Sequence, residues 1–217
     1  MRVAVTGTPG TGKTTATALL AEREGFDHQV VHLNDLVREY DLVESTDAER
    51  DSLVVDLDAV RAHLATAYDD DADLLVESHL AHLLPTDRVV VLRAHPVTVR
   101  ERLVDRGESE ASATENAASA EPPPALARKA RENAESEALD VILSAAVDRH
   151  GADAVHEVDT TDRDPTAVAD AIAAVVAGER DPAVGVVEFS DYLVGEGAPG
   201  FAPMESGPDA DGGGDGG

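Results

Sequence analysis

The stretch VTGTPGTGKTTATALL, Val5–Leu20, constrains this chain more than any other. A short apolar run, RVAVT, leads straight into a glycine-rich turn and then into a helix-like segment. Residues Gly7-Thr8-Pro9-Gly10-Thr11-Gly12-Lys13-Thr14 satisfy the pattern G-x-x-x-x-G-K-[ST]. Glycines let the backbone curl until successive N–H groups point inward at a polyphosphate. The helix that follows adds its positive end. Lys13 is then placed for the β- and γ-phosphates, Thr14 for Mg²⁺ and Thr15 for the α-phosphate. A bare glycine turn joining strand to helix is the competing reading. The strand before and the helix after favour the phosphate cradle, so the turn is expected to hold ATP with its Mg²⁺.

Short apolar runs at Arg2–Thr6, Gln29–Leu33, Ala72–Val76, Arg88–Leu92 and Ala154–Val158 read as strands. Several are continuous rather than alternating, as in strands buried on both faces. Helical periodicity predicts Thr14–Glu24, Asp56–Tyr68, Pro96–Arg106, Ala125–Arg149 and Pro165–Ala177, the last opened by an Asp164 N-cap with Pro165 at N1. Alternating β and α elements predict an α/β fold, a parallel five-stranded sheet with helices on both faces. Ligands of such sheets bind at the carboxyl ends of the strands.

Charge limits the partners. Asp and Glu total 44 against 17 Lys and Arg, for a formal net charge of −27. The basic footprint of a nucleic-acid-binding protein is absent. The acid fits either a surface that docks a basic partner or the protein of a high-salt cytoplasm. Its spread along the whole chain favours the second. Lys13 and Lys129 are the only lysines, so a lysine is kept at the cradle where almost none is kept elsewhere. No Cys is present, which removes disulfides and thiolate metal sites. No apolar run reaches the ~20 residues that span a bilayer, and none suits a signal peptide. The expected location is cytoplasmic, with no membrane.

Beyond the cradle, NDLVRE reads as a helix after the second strand. Asp35 either caps it or holds a ribose or base, and Arg38 either meets an acceptor phosphate or sits on a solvated face. STDAERDSLVVD reads as a loop and a short extended piece. Glu77 falls at the carboxyl end of the third strand, beside the cradle, where a carboxylate holds Mg²⁺ directly or through water. His79 either orients a water or phosphate oxygen or is a buried structural histidine, and His82 reads as structural. Arg102 and Arg106 lie four apart on one helix face.

Taken in order, GTPGTGKTT, NDLVRE, DAERDSLVVDLDAV, VESHLAHLLP, VLRAHPVTVRERLVDRG and ARKARENAESEAL resemble the adenylate kinase isoenzyme 6 type. These are small nucleoside monophosphate kinases tied to small-ribosomal-subunit maturation, and the match looks haloarchaeal. The resemblance implies ATP binding by Gly10, Gly12, Lys13, Thr14, Thr15 and Arg106. It also implies a monophosphate-binding region over about 32–55, a lid from about 105 to 128, and catalytic parts for Lys13, His79 and Arg106. The expected reaction is ATP plus AMP giving two ADP, with ATPase activity. The expected partners are a small-subunit ribosomal protein and the 30S precursor. An assembly switch with little kinase role, or a kinase for another small acceptor, stays open.

Two departures from the family pattern stand out. Glu77-Ser78-His79 replaces the usual Asp-x-His, and ESEASATENAASAEPPPAL, Glu108–Leu126, interrupts the lid before Lys129. Gly107–Ala125 reads as a mobile excursion. The expected organisation is a kinase domain over 1–180, a possible docked extension or linear motif over 181–194, and a disordered acidic and glycine-rich tail over 195–217.

Overall fold

The computed structural model describes residues 1–47, 52–113, 124–189 and 191–192. In chain order the elements are β1 (Arg2–Thr6), α1 (Lys13–Ala21), β2 (Gln29–His32), α2 (Leu33–Glu39), β3 (Val43–Asp47), β4 (Ser52–Val55), α3 (Leu57–Ala67), β5 (Leu74–Glu77), β6 (Arg88–Arg93), α4 (Pro96–Ala113), α5 (Pro124–Ala138), α6 (Val141–His150), β7 (Val155–Asp159) and α7 (Pro165–Ala177). Five strands form one parallel sheet in the order β2-β5-β1-β6-β7. The chain passes to one side of β1 and then to the other. The switch point therefore lies at the carboxyl end of β1, where the glycine turn begins.

RVAVT forms the central strand because its side chains satisfy two cores at once. Val3 and Val5 pack with Ala16 and Leu20 of α1 and with Val168, Ala169, Ile172 and Val175 of α7. Ala4 points the other way, into a cluster with Leu36 and Val37 of α2, Val60 and Leu64 of α3, and Leu143 and Ala146 of α6. Continuous apolar strands need this two-sided cover. Capping follows the sequence as well. Asp56 Oδ1 accepts from Asp58 N and Ala59 N at 3.0 and 2.9 Å. Asp164 Oδ1 accepts from Thr166 N and Ala167 N at 2.9 and 3.1 Å, with Pro165 opening α7. Among the described residues no helix is long and apolar enough to cross a membrane.

Three sequence expectations need correction. The single helix expected over Ala125–Arg149 is two, α5 and α6, broken where Asp140 takes a left-handed φ of 53° and its side chain meets Arg93. The helix expected to stop at Arg106 continues to Ala113, so the start of the supposed excursion is helical. Ser, Ala and Glu sustain a helix adequately. Gly107 sits inside it because a Cβ there would lie 2.3 Å from Leu126 Cδ2, where α5 crosses closely. The rest of the insertion, 114–123, lies outside the described residues. Finally, STDAERDSLVVD contributes to an antiparallel pair, β3 with β4, rather than to a loop and one extended piece.

Past α7 the chain returns along β7. Ala183 N donates to the Val155 carbonyl at 3.2 Å, and Glu157 N to the Ala183 carbonyl at 2.8 Å. Phe189 and Tyr192 are buried. The tail expected from Gly195 onward lies outside the described residues.

Candidate active site

A cleft of about 520 Å³ opens at the switch point. Its floor is the glycine turn. Gly7 has φ +136°, and a Cβ there would stand 2.3 Å from the Leu92 carbonyl oxygen, so no side chain fits. Gly10, Gly12, Lys13, Thr14 and Thr15 all line the cleft. Lys13 is the first residue of α1 and is buried. Its Nζ donates to the carbonyls of Gly7 and Thr8 at 2.8 and 3.0 Å. Burial pulls this ammonium from 10.5 down to about 8, while Glu77 and Glu137 pull it back up and Arg106 pushes it further down. An ammonium held this way gains from an incoming polyphosphate, which supplies the charge its surroundings lack.

Glu77 closes β5 and stands in register with Val5 on β1 and His32 on β2. The carboxylate is buried. Thr14 Oγ1 donates to Oε1 at 3.3 Å, and His32 Nδ1 lies 3.0 Å from Oε2, which requires the Nδ1–H tautomer. The Thr14 hydroxyl and the Glu77 carboxylate are hard oxygen donors of the kind Mg²⁺ takes beside phosphate oxygens. Among the described residues no group of three or more His, Cys, Asp or Glu is assembled for a metal. Remaining ligands would therefore come from phosphate and water.

His79 lines the cleft, and burial, followed by the positive charge of Lys13, holds it down to about 4. Its ring is neutral near pH 7, so what it presents to the cleft is a neutral imidazole rather than an imidazolium. His82 is also held down to about 4, by burial and then by His150, and its Nδ1 lies 3.1 Å from Thr6 Oγ1 beneath the sheet end. Arg106 lines the cleft from α4. Arg102, one turn earlier, also lines the cleft and is hydrogen-bonded to its walls. Its Nη2 donates to the carbonyls of Thr160 and Thr161 at 2.9 and 3.2 Å, and its Nη1 reaches the Gly10 carbonyl at 3.4 Å.

Asp35 and Arg38 are not brought to the cleft. Both are exposed on α2, 3.6 Å apart across one turn. The face of α2 that turns inward carries Leu33, Leu36 and Val37, so the two charged residues necessarily face water. Asn34 enters the cleft instead, and Ser78 Oγ donates to its Oδ1 at 3.3 Å. Thr160 and Arg163, from the turn between β7 and α7, also line it. His32 and Asn34 fall in the monophosphate-binding region expected over about 32–55 without being singled out there, and Thr160 and Arg163 escaped the sequence reading. His32 closes β2 with Asn34 two residues on, and Thr160 and Arg163 lie one and four residues past β7, so the strand-end rule, applied to every strand rather than to β1 and β5 alone, points to them.

The family model described as "AAA domain" matches residues 3–123. A protein of Natronomonas pharaonis named "Putative adenylate kinase" is 56% identical over 193 residues, covering 89% of this chain and all of that one. Its namesake in Halobacterium salinarum is 53% identical over 194 residues, with 89% and 100% covered. This chain belongs to the adenylate-kinase-like P-loop family. A more distant member, in Pyrococcus abyssi, is 36% identical over 191 residues, covering 88% and 92%. Among solved structures, a sulfotransferase from Alicyclobacillus acidocaldarius superposes with a TM-score of 0.53 at 12% identity, covering 91% of both chains, a likeness of fold alone.

Proposed function

We propose that the chain is a nucleoside monophosphate kinase that moves the terminal phosphoryl group of ATP reversibly to AMP or a related monophosphate. The observation that carries this reading is the convergence of Lys13, Thr14, Glu77, His79 and Arg106 on one cleft at the strand ends. Family membership supports it. Thr14 and Glu77 would hold Mg²⁺, which would supply positive charge against the charge of the transferring phosphoryl group. The turn binds and orients the polyphosphate through its N–H groups, and Lys13 moves its ammonium from the Gly7 and Thr8 carbonyls to phosphate. Arg106 approaches from α4 to meet charge on the transferring group. Transfer of this kind needs position and charge rather than a covalent intermediate.

ATPase activity is a second reading, favoured by one observation. Asp35 and Arg38, the acceptor candidates, face solvent, while the donor side of the cleft is assembled. Water then competes for the phosphoryl group. The resemblance to kinases of ribosome maturation extends the proposal to late 30S assembly and 16S processing through a basic small-subunit ribosomal protein, to which a chain of net charge −27 is complementary. A cytoplasmic location belongs to the same reading.

The test is incubation of the protein with Mg-ATP, with and without each monophosphate, in molar KCl, with nucleotides and inorganic phosphate quantified. Transfer yields two diphosphates per ATP consumed and no phosphate. Release of phosphate at a rate indifferent to AMP would reject the kinase and leave the ATPase.

A further inference from the structure

Directly under the nucleotide turn lies a charge cluster that phosphoryl transfer does not call for. Arg93, at the end of β6, is 1% exposed. Its Nε donates to Glu137 Oε1 at 2.6 Å, its Nη1 to Glu157 Oε1 at 2.8 Å, and its Nη2 to the Glu137 carbonyl at 3.1 Å and to Asp140. Glu157 also accepts from Val186 N at 2.8 Å. Ala94 N donates to Glu137 Oε1 at 3.2 Å, and the Phe189 ring lies 5.3 Å from the guanidinium. Glu137 and Glu157 are 2% and 0% exposed. A buried ionic cluster is weak evidence for stability, because hydrophobic replacements often do as well. Its use lies in what it holds in place.

What it holds is the turn. The other oxygen of Glu137, Oε2, accepts from Thr8 Oγ1 at 2.5 Å. Thr8 is 1% exposed, and its carbonyl accepts from Lys13 Nζ at 3.0 Å, from Thr11 N at 3.2 Å and from Thr11 Oγ1 at 2.9 Å. A carboxylate on α5 therefore grips, by its side chain, the residue whose carbonyl seats the phosphate-binding lysine. Glu137 itself does not line the cleft.

We propose that Glu137 is a positioning residue for ATP binding: through the Thr8 hydroxyl it fixes the backbone of the nucleotide turn, and Arg93 fixes Glu137. This rests on the reading of the cleft as an ATP site. The chain of contacts runs from β6 and β7 of the sheet, through α5, to the turn.

The test uses the full chain with Thr8→Val, Thr8→Ser, Glu137→Asp and the Thr8→Val/Glu137→Asp double variant. Val keeps the shape of Thr without its hydroxyl. Asp keeps the charge beside Arg93 but is one methylene, roughly 1.5 Å, too short to reach Thr8 as well. ATP affinity is read by calorimetry, alongside kcat, KM for ATP and thermal unfolding. Thr8→Val and Glu137→Asp are each expected to weaken ATP binding about tenfold, about 1.4 kcal/mol. KM should rise in parallel and kcat stay within about twofold, because the turn grips the same phosphates before and during transfer. Thr8→Ser should bind as the native chain does, and the double variant no worse than either single one. A purely structural role would lower the unfolding temperature and leave the affinity of the folded protein unchanged. That result overturns the proposal, as does additivity in the double variant or a loss with Thr8→Ser. If Thr8→Val fails to fold, Glu137→Asp against Thr8→Ser decides alone. Failure of the native chain to bind ATP would instead reject the ATP site itself.

Discussion

His82→Gln should make the chain less stable at pH 7 and more stable at pH 5. His82 is 5% exposed under the carboxyl end of the sheet, with Nδ1 3.1 Å from Thr6 Oγ1. Burial, then the charges of His150 and Arg149, hold its folded pKa at about 4 against 6.5 for a free histidine, with a backbone hydrogen bond to His79 opposing the shift. Between those two pH values the unfolded chain carries a proton that the folded chain refuses. Stability therefore falls as pH drops from 6.5 toward 4. At pH 5 the gap is 1.5 pH units below the unfolded value, a cost of about 2 kcal/mol. Glutamine carries no such proton. At pH 7 it loses the ring's packing and its Thr6 contact, about 1 kcal/mol. The two effects together invert the order of stabilities, with the variant ahead by about 1 kcal/mol at pH 5. Urea unfolding of both proteins at matched KCl, at pH 7 and pH 5, measures the four values. Because the many carboxylates titrate alike in both, only the difference between the proteins matters. An equal difference at the two pH values would refute the reasoning, since it would mean that His82 takes up its proton without penalty.

Three further outcomes follow from the geometry. Arg38→Ala should leave KM for the monophosphate within about twofold, because Arg38 pairs with Asp35 in solvent, where such pairs contribute about 0–1 kcal/mol; steady-state kinetics with AMP checks this. Arg93→Met leaves Glu137 and Glu157 buried without their cation, at about 3–5 kcal/mol, so thermal unfolding should shift down by about 10 °C or more. Gly7→Ala drives a Cβ against the Leu92 carbonyl at a φ that alanine avoids, and should abolish nucleotide binding in calorimetry even where circular dichroism shows a folded chain.

The cradle was legible because its parts are contiguous. Gly7 through Thr15 are one stretch, and local chemistry dictates both the turn and the helix start. The central strands were legible for a related reason, since runs such as RVAVT and RVVVLR are apolar on both faces. Features set by distant contacts were not. Asp140 breaks the α5–α6 helix in a left-handed conformation while bound to Arg93, 47 positions earlier. Thr8 meets Glu137 across 129 positions, and nothing local marks either residue as a partner. Charge points to Asp35 and Arg38, which the structure leaves exposed on α2 and outside the lining of the cleft. Asn34, between them and β2, was passed over for lack of a charge, yet it is the one that reaches the cleft.

The central claim is that the N-terminal turn grips a nucleoside triphosphate and that the Lys13 ammonium is indispensable to the grip. Calorimetric titration of Mg-ATP into the native chain and into Lys13→Met, in molar KCl at pH 7, tests it most directly. The native chain should bind saturably and one-to-one, and the variant should lose at least about 100-fold in affinity, about 2.7 kcal/mol. Equal affinities for the two proteins would contradict it.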